Sequence, residues 1–181
     1  MIPFLFKAMS EEDCKTLSNE LFSFHAQNKT KNDNRCPGSD ALYGVPKHKE
    51  IHEELALKIS SIINIRLAPT FVYSRIYRQG EILYPHTDRS ECEYTASLTL
   101  DYDSDNSWEI FVRNYENDVM CFTPNKGDSV VFKGNTMPHW RGPFEGEWQT
   151  QSIFSFIDLD GDRSHLANDP KHNHIVTELD E

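Results

Sequence analysis

A histidine, a carboxylate two positions on, and a second histidine about fifty residues later are the side chains of this sequence whose types and spacing most directly specify chemistry. They are His86 and Asp88, in Tyr84-Pro85-His86-Thr87-Asp88, and His139, in Pro138-His139-Trp140. Two imidazoles and one carboxylate are the donor set that holds iron(II) on one face and leaves the opposite coordination positions open. Composition alone supplies on the order of half an H-x-D pair in a chain of this make-up, so local geometry has to decide. On a strand, residues i and i+2 share a face and can chelate one ion. On a helix they point about 200° apart and cannot.

The same test sorts the other histidines. His48-Lys49-Glu50 and His52-Glu53-Glu54 begin a predicted helix, where both read as solvated face residues. His172-Asn173-His174 falls in a polar tail, and His25 and His165 have no carboxylate at a useful spacing. His139 has a better setting. Lys126-Gly127-Asp128 reads as a turn feeding the apolar run Ser129-Val130-Val131-Phe132, and Gly134 to Pro138 leads into the histidine. That order places His139 at the start of a strand, across a sheet from His86.

The 181-residue chain reads as one domain, large enough to bury a core without disulfides or structural zinc. Residues 1–69 carry a first strand, two helices and a long loop; 70–158 form a β-rich core; 159–181 form a polar tail. Ser10 and Asp13 resemble a capping box, and Cys14, Leu17, Leu21, Phe22 and Phe24 supply a helical apolar stripe to about residue 26. Residues 27–46 are rich in Asn, Lys, Asp, Gly and Pro and read as a loop, with Leu42-Tyr43-Gly44 able to fold down over a pocket. A second helix is predicted from Lys47 to Leu67, with Ile51, Leu55, Ile59, Ile62 and Ile63 on one face and Pro69 as its stop. Strands follow over Thr70–Arg78, Thr95–Tyr102, Ser107–Asn114, Val119–Thr123, Ser129–Lys133 and Gln149–Asp158. The expected class is α+β, mainly β: a cupin-like jelly roll with two N-terminal helices packed on one sheet.

Composition narrows the partners. Charged residues are 26% and apolar ones 38%, which describes a globular chain. A net charge of −11 with no basic run argues against nucleic acid and against an anionic membrane surface. No apolar run approaches the roughly 18 residues of a membrane span. Cys14, Cys36, Cys92 and Cys121 are scattered without a C-x-x-C pair, and Met1 to Phe6 is apolar but too short for a signal peptide, so a cytoplasmic location is expected.

The segment Arg75-Ile76-Tyr77-Arg78-Gln79-Gly80-Glu81-Ile82-Leu83-Tyr84-Pro85-His86-Thr87-Asp88-Arg89, with Gly127-Asp128-Ser129-Val130-Val131-Phe132 and His139, resembles the iron(II)- and 2-oxoglutarate-dependent oxygenases, most closely their prolyl-4-hydroxylase-like branch. The resemblance covers residues 70 to 158 and implies a double-stranded β-helix, iron(II) held by His86, Asp88 and His139, 2-oxoglutarate as cosubstrate, O₂, and hydroxylation of a peptidyl, amino-acid or small-molecule substrate. It also implies that Tyr77 contacts the cosubstrate, and Thr99, on the strand after the H-x-D segment, is expected to face the same pocket as a further cosubstrate-binding candidate. The family's basic residue nine to ten positions past the distal histidine is absent, because Trp148 and Gln149 stand there. A neutral amide lacks the charged fork that grips a carboxylate. Gln149 or a cation elsewhere has to serve: Arg141 first, then Arg75, Arg113 or Lys133. Arg89, Tyr94, Trp108, Arg113 and Trp140 are candidates for the pocket mouth. A cupin-like metal enzyme that does not use O₂, and a non-catalytic binding module on the same barrel, are the competing expectations.

Overall fold

The computed structural model describes residues 1–33 and 36–167. The tail beyond 167, with His172-Asn173-His174, lies outside the described residues. In chain order the elements are β1 (Phe4–Lys7), α1 (Glu11–Ala26), β2 (Lys31–Asp33), β3 (Cys36–Tyr43), α2 (Pro46–Glu50), α3 (His52–Ile63), β4 (Leu67–Arg78), β5 (Leu83–His86), β6 (Tyr94–Tyr102), β7 (Ile110–Arg113), β8 (Val119–Phe122), β9 (Asp128–Phe132), β10 (His139–Arg141) and β11 (Trp148–Asp158). Two antiparallel sheets result. One has seven strands in the order β1-β9-β6-β11-β4-β3-β2, the other four in the order β5-β10-β7-β8. Among the described residues no helix is long and apolar enough to cross a membrane.

The central strands of the larger sheet alternate with period two, and both faces are buried. Along β6, Tyr94, Ala96, Leu98 and Leu100 join Cys14 and Leu17 of α1 and Leu55, Ala56 and Ile59 of α3 in one apolar core, with Val72 of β4 and Phe154 and Phe156 of β11. The alternate residues Thr95, Ser97, Tyr73, Arg75, Tyr77, Ile153 and Ser155 turn away from the helices and line a cavity shared with the smaller sheet. A half-polar strand is thereby buried on its polar face too, because that face is a site wall.

Several expectations change in the folded chain. Ser10 caps α1 as predicted, its hydroxyl oxygen accepting from the Asp13 amide at 3.1 Å. The second helix is shorter than predicted. It breaks at Ile51 and ends at Asn64, which takes the left-handed conformation (φ 55°, ψ 43°) that asparagine tolerates at a helix C-terminus. Pro69 stops nothing; it sits in β4 opposite Phe156, where the β11 register slips, a bulge position that tolerates a residue without an N–H. Residues 36–43 are not loop but strand, paired with β4 through Asp40–Ile76 to Tyr43–Tyr73. Tertiary pairing overrides their weak strand propensity, and Cys36, Ser39, Ala41 and Leu42 are buried.

His48 and His52 are the plainest correction. Expected on a solvated face, they are 0% and 5% exposed. His48 Nδ1 lies 2.8 Å from Ser74 Oγ and 2.6 Å from Ser152 Oγ, and its Nε2 lies 3.0 Å from the Leu17 carbonyl oxygen. His52 Nε2 lies 3.0 Å from the Ser155 carbonyl oxygen. The helix faces the sheet with these rings, and each is satisfied by hydrogen bonds there. Burial pushes their pKa values down, to about 4 for His48 and about 3 for His52, so both are neutral at pH 7.

Candidate metal centre

The strand pair β5–β10 sets His86 directly opposite His139. Their rings lie 4.3 Å apart between centroids. Asp88 follows two residues after His86, just beyond the end of β5 rather than on the strand. It is fixed there by its own amide, which donates to the Gly134 carbonyl at 2.8 Å. Asp88 Oδ1 lies 3.6 Å from His86 Nε2, and its Oδ2 lies 3.7 Å from His139 Nε2. One donor atom from each of the three residues falls within 4.8 Å of the others, a spacing that fits a single ion held on one side.

The second layer of contacts points the donors inward. His86 Nδ1 sits 2.8 Å from the Tyr84 carbonyl oxygen, and His139 Nδ1 sits 3.0 Å from that of Met137. A carbonyl accepts only, so each Nδ1 carries the proton and each Nε2 presents its lone pair to the centre. Thr95 Oγ1 donates to Asp88 Oδ2 at 3.3 Å. Gly134 makes this packing possible: a Cβ there would fall 2.5 Å from Asp88 Oδ2 and collide with the Thr95 hydroxyl.

The three residues open onto a cavity of about 210 Å³ between the two sheets. Tyr77 and Arg141 line the same cavity, as does Arg75. Arg141 is 1% exposed; its Nη1 donates to the Trp108 carbonyl at 2.6 Å, and its guanidinium lies 4.9 Å from the Trp108 ring centroid. Its Nη2 is buried without a hydrogen-bond partner, and no carboxylate pairs with it among the described residues. Burial pushes its pKa down to about 10, offset in part by Tyr77. A desolvated cation without a counter-charge is costly, and the cost is relieved by an anion entering the cavity.

Arg75 is held differently, with Nη1 donating to the Tyr77 hydroxyl at 3.3 Å and Nη2 to the Tyr73 hydroxyl at 3.0 Å. Thr99 and Gln149 do not line the cavity. They belong to a buried amide ladder in which Thr99 Oγ1 and Gln149 Nε2 both donate to Gln151 Oε1, at 3.2 and 2.9 Å, and Gln151 Nε2 donates to Ser97 Oγ at 2.9 Å. Arg113 lies outside, its guanidinium 5.8 Å from the Trp140 ring centroid, and Lys133 lies against Tyr94 and Glu93. Of the five candidates for the mouth, Arg89 alone lines the cavity. Trp108 packs with Cys36, Tyr77 and Phe144, Trp140 stacks on Phe111 at 5.6 Å, and Tyr94 belongs to the helix-side core. Tyr43, in the segment expected to fold over a pocket, does line it. Phe71 and Tyr73 were not anticipated; the signal that finds them is the i, i+2 series Phe71-Tyr73-Arg75-Tyr77, one face of a strand.

The fold, two antiparallel sheets with helices against one of them, is similar to that of several solved prolyl hydroxylases and other 2-oxoglutarate-dependent enzymes. Among solved structures the chain is similar to a Pseudomonas putida prolyl-4-hydroxylase, with a TM-score of 0.68 and 15% identity over 86% of this chain and 92% of that one. It is similar to a prolyl hydroxylase from Trichoplax adhaerens solved with a hypoxia-inducible-factor peptide fragment (TM-score 0.66, 15% identity, 85% of this chain and 83% of that one). It is also similar to HygX from Streptomyces hygroscopicus, solved with nickel and 2-oxoglutarate bound (TM-score 0.58, 14% identity, 87% of this chain and 83% of that one). At these identities the likeness is one of fold. No family model and no curated protein sequence matches the chain.

Proposed function

We propose that the chain is a non-haem iron(II)- and 2-oxoglutarate-dependent dioxygenase of the hydroxylase type, built as one domain on a double-stranded β-helix. The observation that carries this reading is the convergence of His86, Asp88 and His139 within 4.8 Å, beside a buried Arg141 that has no counter-charge among the described residues. The donor set fits iron(II), and Arg141 fits the far carboxylate of a 2-oxo diacid, with the Tyr77 hydroxyl as a second contact. Arg141 would thus take the work of the basic residue missing at Gln149, from the strand that carries the distal histidine rather than from β11.

With iron, 2-oxoglutarate and O₂ bound, the site would supply oxidative decarboxylation of 2-oxoglutarate to succinate and CO₂, one atom of O₂ entering succinate and the other a substrate C–H bond. The chain's own residues orient and shield that chemistry. The Tyr84 and Met137 carbonyls hold the two imidazoles in the Nε2-open tautomer, and Thr95 holds Asp88. Phe132, with its ring 4.6 Å from that of His139, closes the inner side against water. The fold similarity to peptide and small-molecule oxygenases supports either substrate class. The absence of a basic run supports a substrate other than nucleic acid, and the thiol state of all four cysteines is compatible with a cytoplasmic location.

Anaerobic addition of 2-oxoglutarate to the iron(II)-loaded protein is expected to produce a weak visible charge-transfer band. His86→Ala is expected to abolish it without changing the circular dichroism. Iron binding with no band from any 2-oxo acid would sink the cosubstrate assignment in favour of a metal enzyme that does not use one.

A further inference from the structure

The outer part of the cavity carries a charge that the metal and cosubstrate do not use. Arg89, the residue after Asp88, is exposed. Its guanidinium lies 4.5 Å from the Phe71 ring centroid and 5.7 Å from that of Tyr43. No carboxylate pairs with it among the described residues. The Tyr43 and Phe71 rings, 5.9 Å apart between centroids, border the exposed guanidinium, and a guanidinium fork matches a carboxylate or phosphate group bidentately.

The charge balance of the cavity points the same way. Among the described residues its lining holds three guanidiniums, Arg75, Arg89 and Arg141, against the single carboxylate Asp88, in a chain whose net charge is −11. A divalent metal adds two positive charges and a dianionic 2-oxo acid removes two, so a surplus of two remains in the liganded site. Concentrating positive charge in one cavity of an acidic protein attracts anions selectively to that cavity. At about 210 Å³ the enclosed space is small against ordinary ligand pockets, so a substrate projects outward past Arg89 once the cosubstrate is seated.

We infer that the substrate carries an oxyanion, carboxylate or phosphate, which Arg89 clamps at the cavity mouth beside Tyr43 and Phe71. The inference rests on the oxygenase reading for where the cosubstrate sits. Arg89 thereby acts as a specificity-determining residue that positions the substrate beside the metal.

Nickel-loaded protein saturated with 2-oxoglutarate, which cannot turn over, is the material for the test. It is titrated by calorimetry with N-acetyl amino acids and their carboxamides, and with phosphate monoesters and their parent alcohols. The best anionic member of at least one set is expected to bind 10-fold or more tighter than its neutral partner, and the set in which this occurs distinguishes carboxylate from phosphate. Arg89→Gln should reduce the preference to within twofold, while Arg113→Gln, on the outer face, leaves it intact. Absence of binding by every anion, equal binding of neutral partners, or a preference that survives Arg89→Gln would each overturn the inference. The iron(II)–2-oxoglutarate band of the Arg89→Gln protein separates the two readings. A band in both proteins with no anion preference rejects the clamp alone, whereas absence of the band from the parent protein rejects the oxygenase reading.

Discussion

At the residue scale, Arg141 concentrates the conflict between stability and function. A fully buried guanidinium with an orphaned Nη2 is a standing cost to the protein, and the proposed carboxylate contact would offset it. Arg141→Met keeps the length of the side chain and removes the charge. The empty variant is expected to gain about 1–3 kcal/mol in urea unfolding, while 2-oxoglutarate affinity falls by roughly 10- to 150-fold. Unchanged cosubstrate affinity would move the carboxylate contact to Arg75. Gln149, by contrast, donates from its Nε2 to Gln151 Oε1, so its neutral amide belongs to a buried hydrogen-bond ladder outside the cavity lining.

Elements bring the three donors together, and the connection after β9 is the tightest of them. Gly134 accepts the Asp88 amide through its carbonyl and leaves room for the Asp88 carboxylate where a Cβ would stand. Gly134→Ala is therefore expected to weaken iron(II) binding by about 10- to 100-fold with the fold retained, measured by anaerobic titration. Much of this level was legible beforehand. The turn at Lys126–Asp128, the strand after it and the start of β10 at His139 follow directly from turn chemistry and apolar runs. What escaped was set by long-range contact. The strand over Cys36–Tyr43 has the composition of a loop and exists because β4 offers it a paired edge. His48 and His52 carry polar neighbours in sequence, yet the sheet presents Ser74, Ser152 and the Ser155 carbonyl at the right heights to bury them. Arg89 and Arg141 were named as candidates from their positions beside the ligands; their roles could be separated only once the aromatic partners of each were in place.

For the molecule as a whole, those two buried histidines define an acid limit. Their folded-state pKa values, about 4 and about 3, lie below the ordinary value of 6.5. Between these limits the unfolded chain binds more protons than the folded one, so acid favours unfolding. Their contribution is fully present above about pH 6.5 and is lost progressively as the pH falls toward the folded values. Each histidine is expected to add up to about 1.4 kcal/mol of lost stability per pH unit within that window. Urea midpoints measured from pH 7 to pH 4.5 should fall steeply in the parent protein and less steeply in the His48→Gln/His52→Gln variant, even though the variant starts lower. Parallel slopes would mean that other groups dominate the acid transition.

The two-sided strands of the larger sheet have one more consequence. Thr95 and Ser97 of β6 face the cavity while Tyr94, Ala96 and Leu98 face the helices, so neighbouring letters of the sequence answer to different physical demands. Exchanging Tyr73, Ser97 or Ser155 alters the cavity lining, whereas Val72, Ala96 and Phe154 are committed to the helix-side core. For an engineer, randomising only the alternate positions gives a library in which most members still fold.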